Sequence, residues 1–587
     1  MSEASTDGWS VATLQATFAA TLVDEWARAG VTDAVVCPGS RSAPLALALA
    51  AHAAIRLHVR LDERGAGFFA LGLARATGRP CVVCVTSGTA AAELHPAVLE
   101  SHHGRVPLLV CTADRPPELH GIGAPQTVEQ AHLYGGAVRW FAEPGVPVAC
   151  ARGAWRSIAA RAAIEAAGGP LGPGPVHLNL AFRDPLVGEP AELPPGRPGG
   201  AAFHRLGYRQ FLPYADDGSG LGPEEPWSAS RGVIVAGEGC GPADAVIGLA
   251  EHLGWPLLAD PRSGCRRHHP NVVAAADALC RLGEARLRPD VVVRLGDTWA
   301  SKAMPAFLGG AYVIAVDPWW RWRDPDRDAG TVYRVDTGAW VAAARRTAPP
   351  AREAGWLEAW QEAERAAQGA IDVALGGSEL TEPLVARRLL EVVPPTATVV
   401  VASSMPVRDL EWYAPALPSP PRVLANRGAN GIDGACSTAL GVAAAGDGGP
   451  TIALMGDLAF LHDASALAAA AGARAGGCVV VVLDNAGGGI FEFLPQATLV
   501  ERGRFEQVFA TPQASDVVRV AAGFGVETAD VGTPAELEDA LGAALHEDGV
   551  CVVRARVADR RANVDVHDRI HAAVAGAVAR ALGTPRP

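Results

Sequence analysis

The sequence predicts an α/β protein of three domains, each a parallel sheet flanked by helices, and three observations predict it. Short apolar, β-rich runs alternate with Ala-rich helical stretches along almost all of the 587 residues, the pattern of sheets covered by helices on both faces. Each apolar run ends in a polar turn, and such turns at strand C-termini form the ligand crevice of an open parallel sheet. Two segments break the alternation: Glu189 to Pro226, dense in Pro and Gly, and Pro349 to about Glu379. They read as linkers and divide the chain into 1–190, 227–348 and 380–587. A single core could not serve a chain of this length.

Composition narrows the function classes. Hydrophobic residues make up 49% of the chain and charged residues 19%, the balance of a compact enzyme rather than a disordered or coiled-coil protein. A net charge of −13 excludes a nucleic-acid partner, because phosphate backbones need a basic surface. Small anions remain possible, since they respond to local Arg clusters. The N-terminal stretch lacks the basic region of a signal peptide, and no apolar run reaches membrane-spanning length, so cytoplasmic location without membrane insertion is expected. The 11 cysteines lie scattered through apolar segments, as buried reduced thiols do. Cys81 and Cys84 lack the further ligands of a zinc site. Lys302 is the sole lysine among 50 basic residues, a compact ammonium where the chain otherwise uses the planar fork of Arg.

In the first third, DAVVCPGSRS, LHVRLDERG, CVVCVTSGT and VPLLVCTADRPPE each run from strand to polar turn. The middle third opens with GVIVAGEGCG, whose Gly237, Glu238, Gly239 turn looks like a dinucleotide loop but lacks the third glycine of that fingerprint. A flavin- or nicotinamide-binding oxidoreductase would use this turn, and a non-catalytic binding scaffold would hold an effector on the turns of this middle third.

The last third carries the chemistry. TIALMGDLAFLHD and CVVVVLDNAGGGIF are two buried strands joined by one crossover, so Asp457 and Asn485 sit just beyond the ends of parallel, near-neighbour strands. A carboxylate oxygen, an amide oxygen and the Gly487 carbonyl suit Mg2+, which favours octahedral oxygen ligands and completes its shell with phosphates and water. The pairing of Gly-Asp with Asn-x-Gly resembles the diphosphate motif of thiamine-diphosphate enzymes. Leu458 replaces the second Gly of its commonest form, and Ala486 stands where a second Asn is frequent.

The full set of turns resembles the 2-succinyl-5-enolpyruvyl-6-hydroxy-3-cyclohexene-1-carboxylate (SEPHCHC) synthase family. The likeness rests on PGSRSAPL (38–45), DERG (62–65), TSGTA (86–90), TADRPPEL (112–119), GAPQT (123–127), NRGANGIDG (426–434), GDL (456–458) and NAGGGIF (485–491). It implies the thiamine-diphosphate-enzyme architecture: a pyrimidine-binding domain, a central domain without cofactor, and a diphosphate-binding domain. It implies thiamine diphosphate with Mg2+, or alternatively Mn2+. The implied reaction is decarboxylation of 2-oxoglutarate and addition of the succinyl carbanion equivalent to isochorismate, a step of menaquinone biosynthesis. A carboligase or decarboxylase for another 2-oxo acid is the alternative. Glu63 would be the catalytic acid at the cofactor's N1′. Ser40, Arg41, Arg115, Gln126 and Lys302 resemble the isochorismate side, and Ser404, Arg408 and Arg427 the group around the succinyl carboxylate and cofactor. Pro125 and Ala303 depart from the family pattern. Ile432, Ile490 and Phe491 would face the cofactor, and the resemblance implies a homodimer or tetramer. His567 and His571, four apart without a third ligand, read as a solvated helix face, and the basic loop Arg262 to His269 as a solvated turn.

Overall fold

Parallel pairing runs through all three sheets of the computed structural model, which describes residues 8–197, 202, 229–319, 322–347, 349, 351–446, 448–469, 477–547 and 549–583. The first sheet contains β1 (Asp33–Val36), β2 (Arg56–Val59), β3 (Cys81–Val85), β4 (Leu108–Asp114), β5 (Trp140–Ala142) and β6 (Pro175–Ala181). Their order is β2-β1-β3-β4-β6-β5. The second contains β7 (Gly232–Ala236), β8 (Leu257–Ala259), β9 (Val272–Val273), β10 (Val291–Leu295), β11 (Tyr312–Val316) and β12 (Ala329–Tyr333), in the order β12-β11-β10-β7-β8-β9. The third contains β13 (Thr398–Val401), β14 (Arg422–Ala425), β15 (Thr451–Gly456), β16 (Cys478–Asp484), β17 (Glu527–Val531) and β18 (Val550–Arg556), in the order β14-β13-β15-β16-β18-β17. The outer two sheets therefore share one topology, each reversing direction between its first and third strands. That reversal opens the crevice in which ligands of open sheets bind.

Burial explains the strand sequences. β3 and β4 are buried at every position, which is why CVVCV and LLVCTAD do not alternate. β2 is the edge, largely exposed, and it carries Arg56 and His58, each 2.9 Å from the Asp33 carboxylate of β1. Charge on an edge strand discourages unwanted pairing. The outer units meet through helices Glu63–Thr77 and Ala435–Ala445. A Cβ on Gly72 would lie 2.1 Å from the Thr438 carbonyl oxygen, and one on Gly441 2.1 Å from that of Phe69. Backbone touches backbone there, and a single core cluster extends from Val35 and Val83 in the first sheet to Val400 and Val480 in the third.

Two expectations change. The stretch from Pro349 to Glu379 is no simple linker, because it forms the helix Trp356–Leu375. Trp356, Trp360, Ala363, Ala367, Ile371 and Leu375 recur at helical spacing on its buried face and pack into the middle core together with helix Arg560–Leu582. Of Glu189 to Pro226, residues 198–201 and 203–226 lie outside the described residues. The basic loop is not a solvated turn either. Arg266, 2% exposed, donates to the carbonyls of Ala259, Leu410, Glu411 and Ala414. It thereby satisfies the Glu411 and Ala414 carbonyls at the end of helix Met405–Tyr413 and ties the middle unit to the third. Arg262, also buried, forms a two-point pair with Asp260, with Nη2 at 2.6 Å.

Candidate functional site

β15 and β16 are hydrogen-bonded neighbours with Gly456 opposite Leu483, so the chain leaves both strands at one level. Asp457 and Asn485 are the first residues beyond them and are only 5% and 7% exposed. Burial raises the Asp457 carboxyl to about 6, although the Leu458 N–H donates to its Oδ1 at 2.8 Å. Asn485 Nδ2 donates to Glu382 Oε1 at 2.7 Å, while Asn485 Oδ1 is buried with no hydrogen-bond partner among the described residues. Gly487 has φ +135°, and a Cβ there would lie 2.3 Å from the Ala510 carbonyl oxygen. A buried carboxyl short of positive charge, an orphaned amide oxygen and a glycine cradle together fit a hard divalent cation. Ala486 has φ +62°, a left-handed geometry that Asn adopts more readily than Ala. Arg560 compensates by donating to the Ala486 carbonyl oxygen.

The turns of the third sheet gather around this pair. Ser404, just past β13, has φ 76° and ψ −136°, a sparsely populated conformation for a residue with a side chain and one found where a site constrains the backbone. Arg408 donates to its carbonyl at 2.5 Å. Arg427 follows β14 and makes no hydrogen bond or ion pair among the described residues. Burial, then the nearby Arg262 and Arg408, lower it to about 10. Ile432 is 37% exposed, Ile490 packs toward the middle core, and the Phe491 ring lies 5.7 Å from that of Phe509. These turns thus bring cations and apolar side chains to the same end of the sheet as the acid and amide.

Glu63 opens helix Glu63–Thr77 after β2, behind the N-cap Asp62, whose Oδ1 accepts from Gly65 N–H and whose Oδ2 accepts from Ser465 Oγ at 2.6 Å. At the ends of β3 and β4, Arg115 donates to Ser87 Oγ, and Gln126 Nε2 donates to the Ser87 carbonyl at 2.9 Å. Gln126 holds φ +59°. Arg41 Nη1 donates to the Phe182 carbonyl at 2.9 Å and to Asp184 at 3.1 Å, and its charge reaches Arg115, which burial and Arg41 both lower. Ser40 beside it is exposed. Lys302 is exposed before helix Ala303–Leu308, on a loop whose Ala300 and Ser301 N–H groups donate to Glu411 at 2.7 Å each.

The sequence matches three descriptions of thiamine pyrophosphate enzymes: the N-terminal TPP binding domain over residues 16–133, the middle domain over 224–401 and the C-terminal TPP binding domain over 410–555. Among its relatives are 2-succinyl-5-enolpyruvyl-6-hydroxy-3-cyclohexene-1-carboxylate synthases of three bacteria. That of Geobacillus kaustophilus is 39% identical over 96% of this chain and 99% of its own. That of Myxococcus xanthus is 41% identical over 97% and 99%. That of Thermobifida fusca is 43% identical over 95% and 98%. The chain belongs to this synthase family. A solved structure of the thiamine diphosphate-dependent 4-hydroxybenzoylformate decarboxylase of Rhodococcus jostii RHA1 shares the fold, with TM-score 0.72 and 21% identity over 94% of this chain and all of that one.

Within this synthase fold, the GEGCG turn is used for packing. A Cβ on Gly237 would lie 1.8 Å from the Asp297 carbonyl oxygen, so the glycine admits the turn after β10. His567 departs from the solvated reading: it is 1% exposed, with Nδ1 2.8 Å from Tyr413 Oη and Nε2 3.1 Å from Asp409. His571 Nε2 is 3.3 Å from the same Tyr413 hydroxyl. Burial lowers both imidazoles to about 4. Three partners of the candidate site residues and their loops escaped sequence reading. Ser87 could have been found in the TSGTA turn. Glu382 and Glu411 carry no sequence signal beyond being acids on helices, and their partners are 103 and 110 or more residues away.

Proposed function

We propose that this synthase-family enzyme, thiamine-diphosphate-dependent and of the carboligase type, decarboxylates 2-oxoglutarate and transfers the resulting succinyl unit to isochorismate. The product is 2-succinyl-5-enolpyruvyl-6-hydroxy-3-cyclohexene-1-carboxylate, with CO2, in menaquinone biosynthesis. In this reading residues 1–190 bind the pyrimidine, 227–348 form the central domain, and 380–587 bind the diphosphate. The observation that carries it is the meeting of the buried Asp457 carboxyl and the partnerless Asn485 amide oxygen with neighbouring turns that bear Arg408 and Arg427. Asp457, Asn485 and the Gly487 carbonyl would hold Mg2+, or Mn2+, against the diphosphate.

Thiamine diphosphate, when bound, supplies the electron sink for loss of CO2 from a 2-oxo acid. The chain's own residues do the rest. Glu63 holds a proton at the cofactor's N1′. Arg408 and Arg427 fix the distal carboxylate of 2-oxoglutarate, with Ser404 shaping the turn beneath it, and Arg forks suit bidentate carboxylate binding. Arg41, Arg115, Gln126, Ser40 and Lys302 orient isochorismate, a dianion. Ile432, Ile490 and Phe491 line the cofactor and exclude water. Glu63 comes from a second copy of the chain, so the enzyme is a dimer or a pair of dimers. The exposed Leu57, Val59 and Leu61, at 37%, 50% and 74%, support that assembly, since they flank the Glu63 turn with apolar surface.

Purified protein with Mg2+, thiamine diphosphate, 2-oxoglutarate and isochorismate should release CO2 and consume isochorismate, and should do neither with pyruvate in place of 2-oxoglutarate. Turnover with pyruvate alone would transfer the reading to another 2-oxo acid. Glu63→Gln should lower kcat about 100- to 10,000-fold, the range of a lost acid–base contribution. Full activity in that variant would overturn the role given to Glu63.

A further inference from the structure

We infer that Glu382 is the positioning residue that sets which end of the Asn485 amide faces the divalent cation. The inference rests on the cation site proposed above and adds a residue outside the turns that form it. Glu382 is the first residue of helix Glu382–Val392 and is 2% exposed. Its Oε1 accepts the Asn485 Nδ2 hydrogen at 2.7 Å. An amide has one donor end and one acceptor end, and only the oxygen can ligate a hard cation. With Nδ2 committed to Glu382, Oδ1 is the atom left free, and it is the one that lies buried without a partner. A flipped amide would turn the NH2, which cannot ligate a cation, toward the site.

Gly489 completes the arrangement. A Cβ at that position would lie 2.6 Å from Asn485 Nδ2 and 3.7 Å from Glu382 Oε1, so the third glycine of the turn leaves the space through which the bond runs. A purely structural role for Glu382 exists as well, because an acid in the first turn of a helix favours its positive end. The two roles predict different variants. Helix stabilisation needs the negative charge, which Gln lacks. Orientation needs an acceptor oxygen, which Gln retains and Ala does not.

The test is Mn2+ titration of the full-length protein with thiamine diphosphate present, followed by electron paramagnetic resonance of free Mn2+, with cofactor binding measured separately by calorimetry. Glu382→Ala should bind Mn2+ about 10- to 100-fold more weakly, the usual effect of losing an outer hydrogen-bond partner of a metal ligand. Saturating Mn2+ should restore its cofactor binding. Glu382→Gln should stay within about threefold of the unmodified protein on the same scale. Gly489→Ala, which reaches the bond from the other side, should weaken Mn2+ binding as Glu382→Ala does and covers the case in which Glu382→Ala does not fold. The inference is overturned if Glu382→Ala and Gly489→Ala bind Mn2+ like the unmodified protein, or if Gln and Ala at position 382 weaken it equally. Asp457→Ala separates the two levels. Loss of Mn2+ in that variant with none in Glu382→Ala sinks the Glu382 role alone, whereas an unmodified protein that binds no Mn2+ sinks the cation site with it.

Discussion

Gly487→Ala removes no ligand side chain, yet it should be among the most damaging single-methyl changes in this enzyme. The residue sits at φ +135°, where a side chain costs about 1 to 3 kcal/mol in backbone strain. The new Cβ would also lie 2.3 Å from the Ala510 carbonyl oxygen and 2.8 Å from Arg560 Nη1. Neither neighbour is free to retreat. Ala510 already accepts the Gly488 N–H at 2.7 Å, and Arg560 is tied to Glu506 at 2.6 Å and to the Ala486 carbonyl. Relieving the overlap requires the turn from Asn485 to Gly489 to move, which adds about 1 to 3 kcal/mol of overpacking. The sum is about 2 to 6 kcal/mol, or a loss of roughly 30-fold to more than 10,000-fold in affinity if it falls on cation binding. Calorimetric titration of Mg2+ with thiamine diphosphate reads the affinity, and a thermal melt of the cofactor-free protein reads any part that falls on stability. An alanine variant with both quantities unchanged would refute the assignment of this turn as the cation cradle.

Other perturbations reach the scaffold. Burial holds His567 at about 4 in the folded chain against about 6.5 unfolded. The neutral imidazole therefore contributes stability above pH 6.5 that is lost as pH falls toward 4, up to about 3 kcal/mol. His567→Gln should flatten the loss of urea stability between pH 7 and pH 5 relative to the unmodified protein, and parallel curves would count against this burial argument. Gly72→Ala, whose Cβ meets the Thr438 carbonyl oxygen at 2.1 Å, should lower the melting midpoint through a cost of about 3 kcal/mol. Gly369→Ala, in helix Trp356–Leu375 with nothing within 4 Å of the added carbon, should raise it through a gain of about 0.5 to 1 kcal/mol.

The residues legible in the sequence are those whose placement follows from a strand and the turn after it. Asp457 and Asn485 belong to this class, because a crossover between two buried strands forces their ends together. Glu63 belongs to it too, as the acid that follows β2 and opens a helix. What stayed hidden needed partners distant in the chain. The helix Trp356–Leu375 was hidden by the Pro349 to Gly355 approach and by Gly376 and Gly377, and Ala359, Ala363 and Ala367 of its buried stripe are weak markers of a core face. His567 reads as solvated until Trp412 and Tyr413 close over it, with ring centroids at 5.8 and 5.2 Å.

Arginine shows the same limit most sharply, because this chain uses it for architecture and, in the proposed function, for ligands. Arg266 donates to four main-chain carbonyls, and Arg262 is paired with Asp260 through Nε and Nη2, so the fold has already supplied acceptors to both, although Arg262 Nη1 keeps no hydrogen-bond partner among the described residues. Among the described residues Arg408 has only the Ser404 carbonyl and Arg427 has no hydrogen-bond or ion-pair partner, although burial pulls it down to about 10. A half-buried guanidinium left without an acceptor loses part of its hydration, and a carboxylate ligand would offset that loss. Arg266 and Arg427 look alike in the sequence, and what separates them is whether the fold has already supplied the acceptor. In the proposed function, Arg427, with no acceptor of its own, and its neighbour Arg408 are therefore where a dicarboxylate would gain most, at the same end of the third sheet as Asp457 and Asn485.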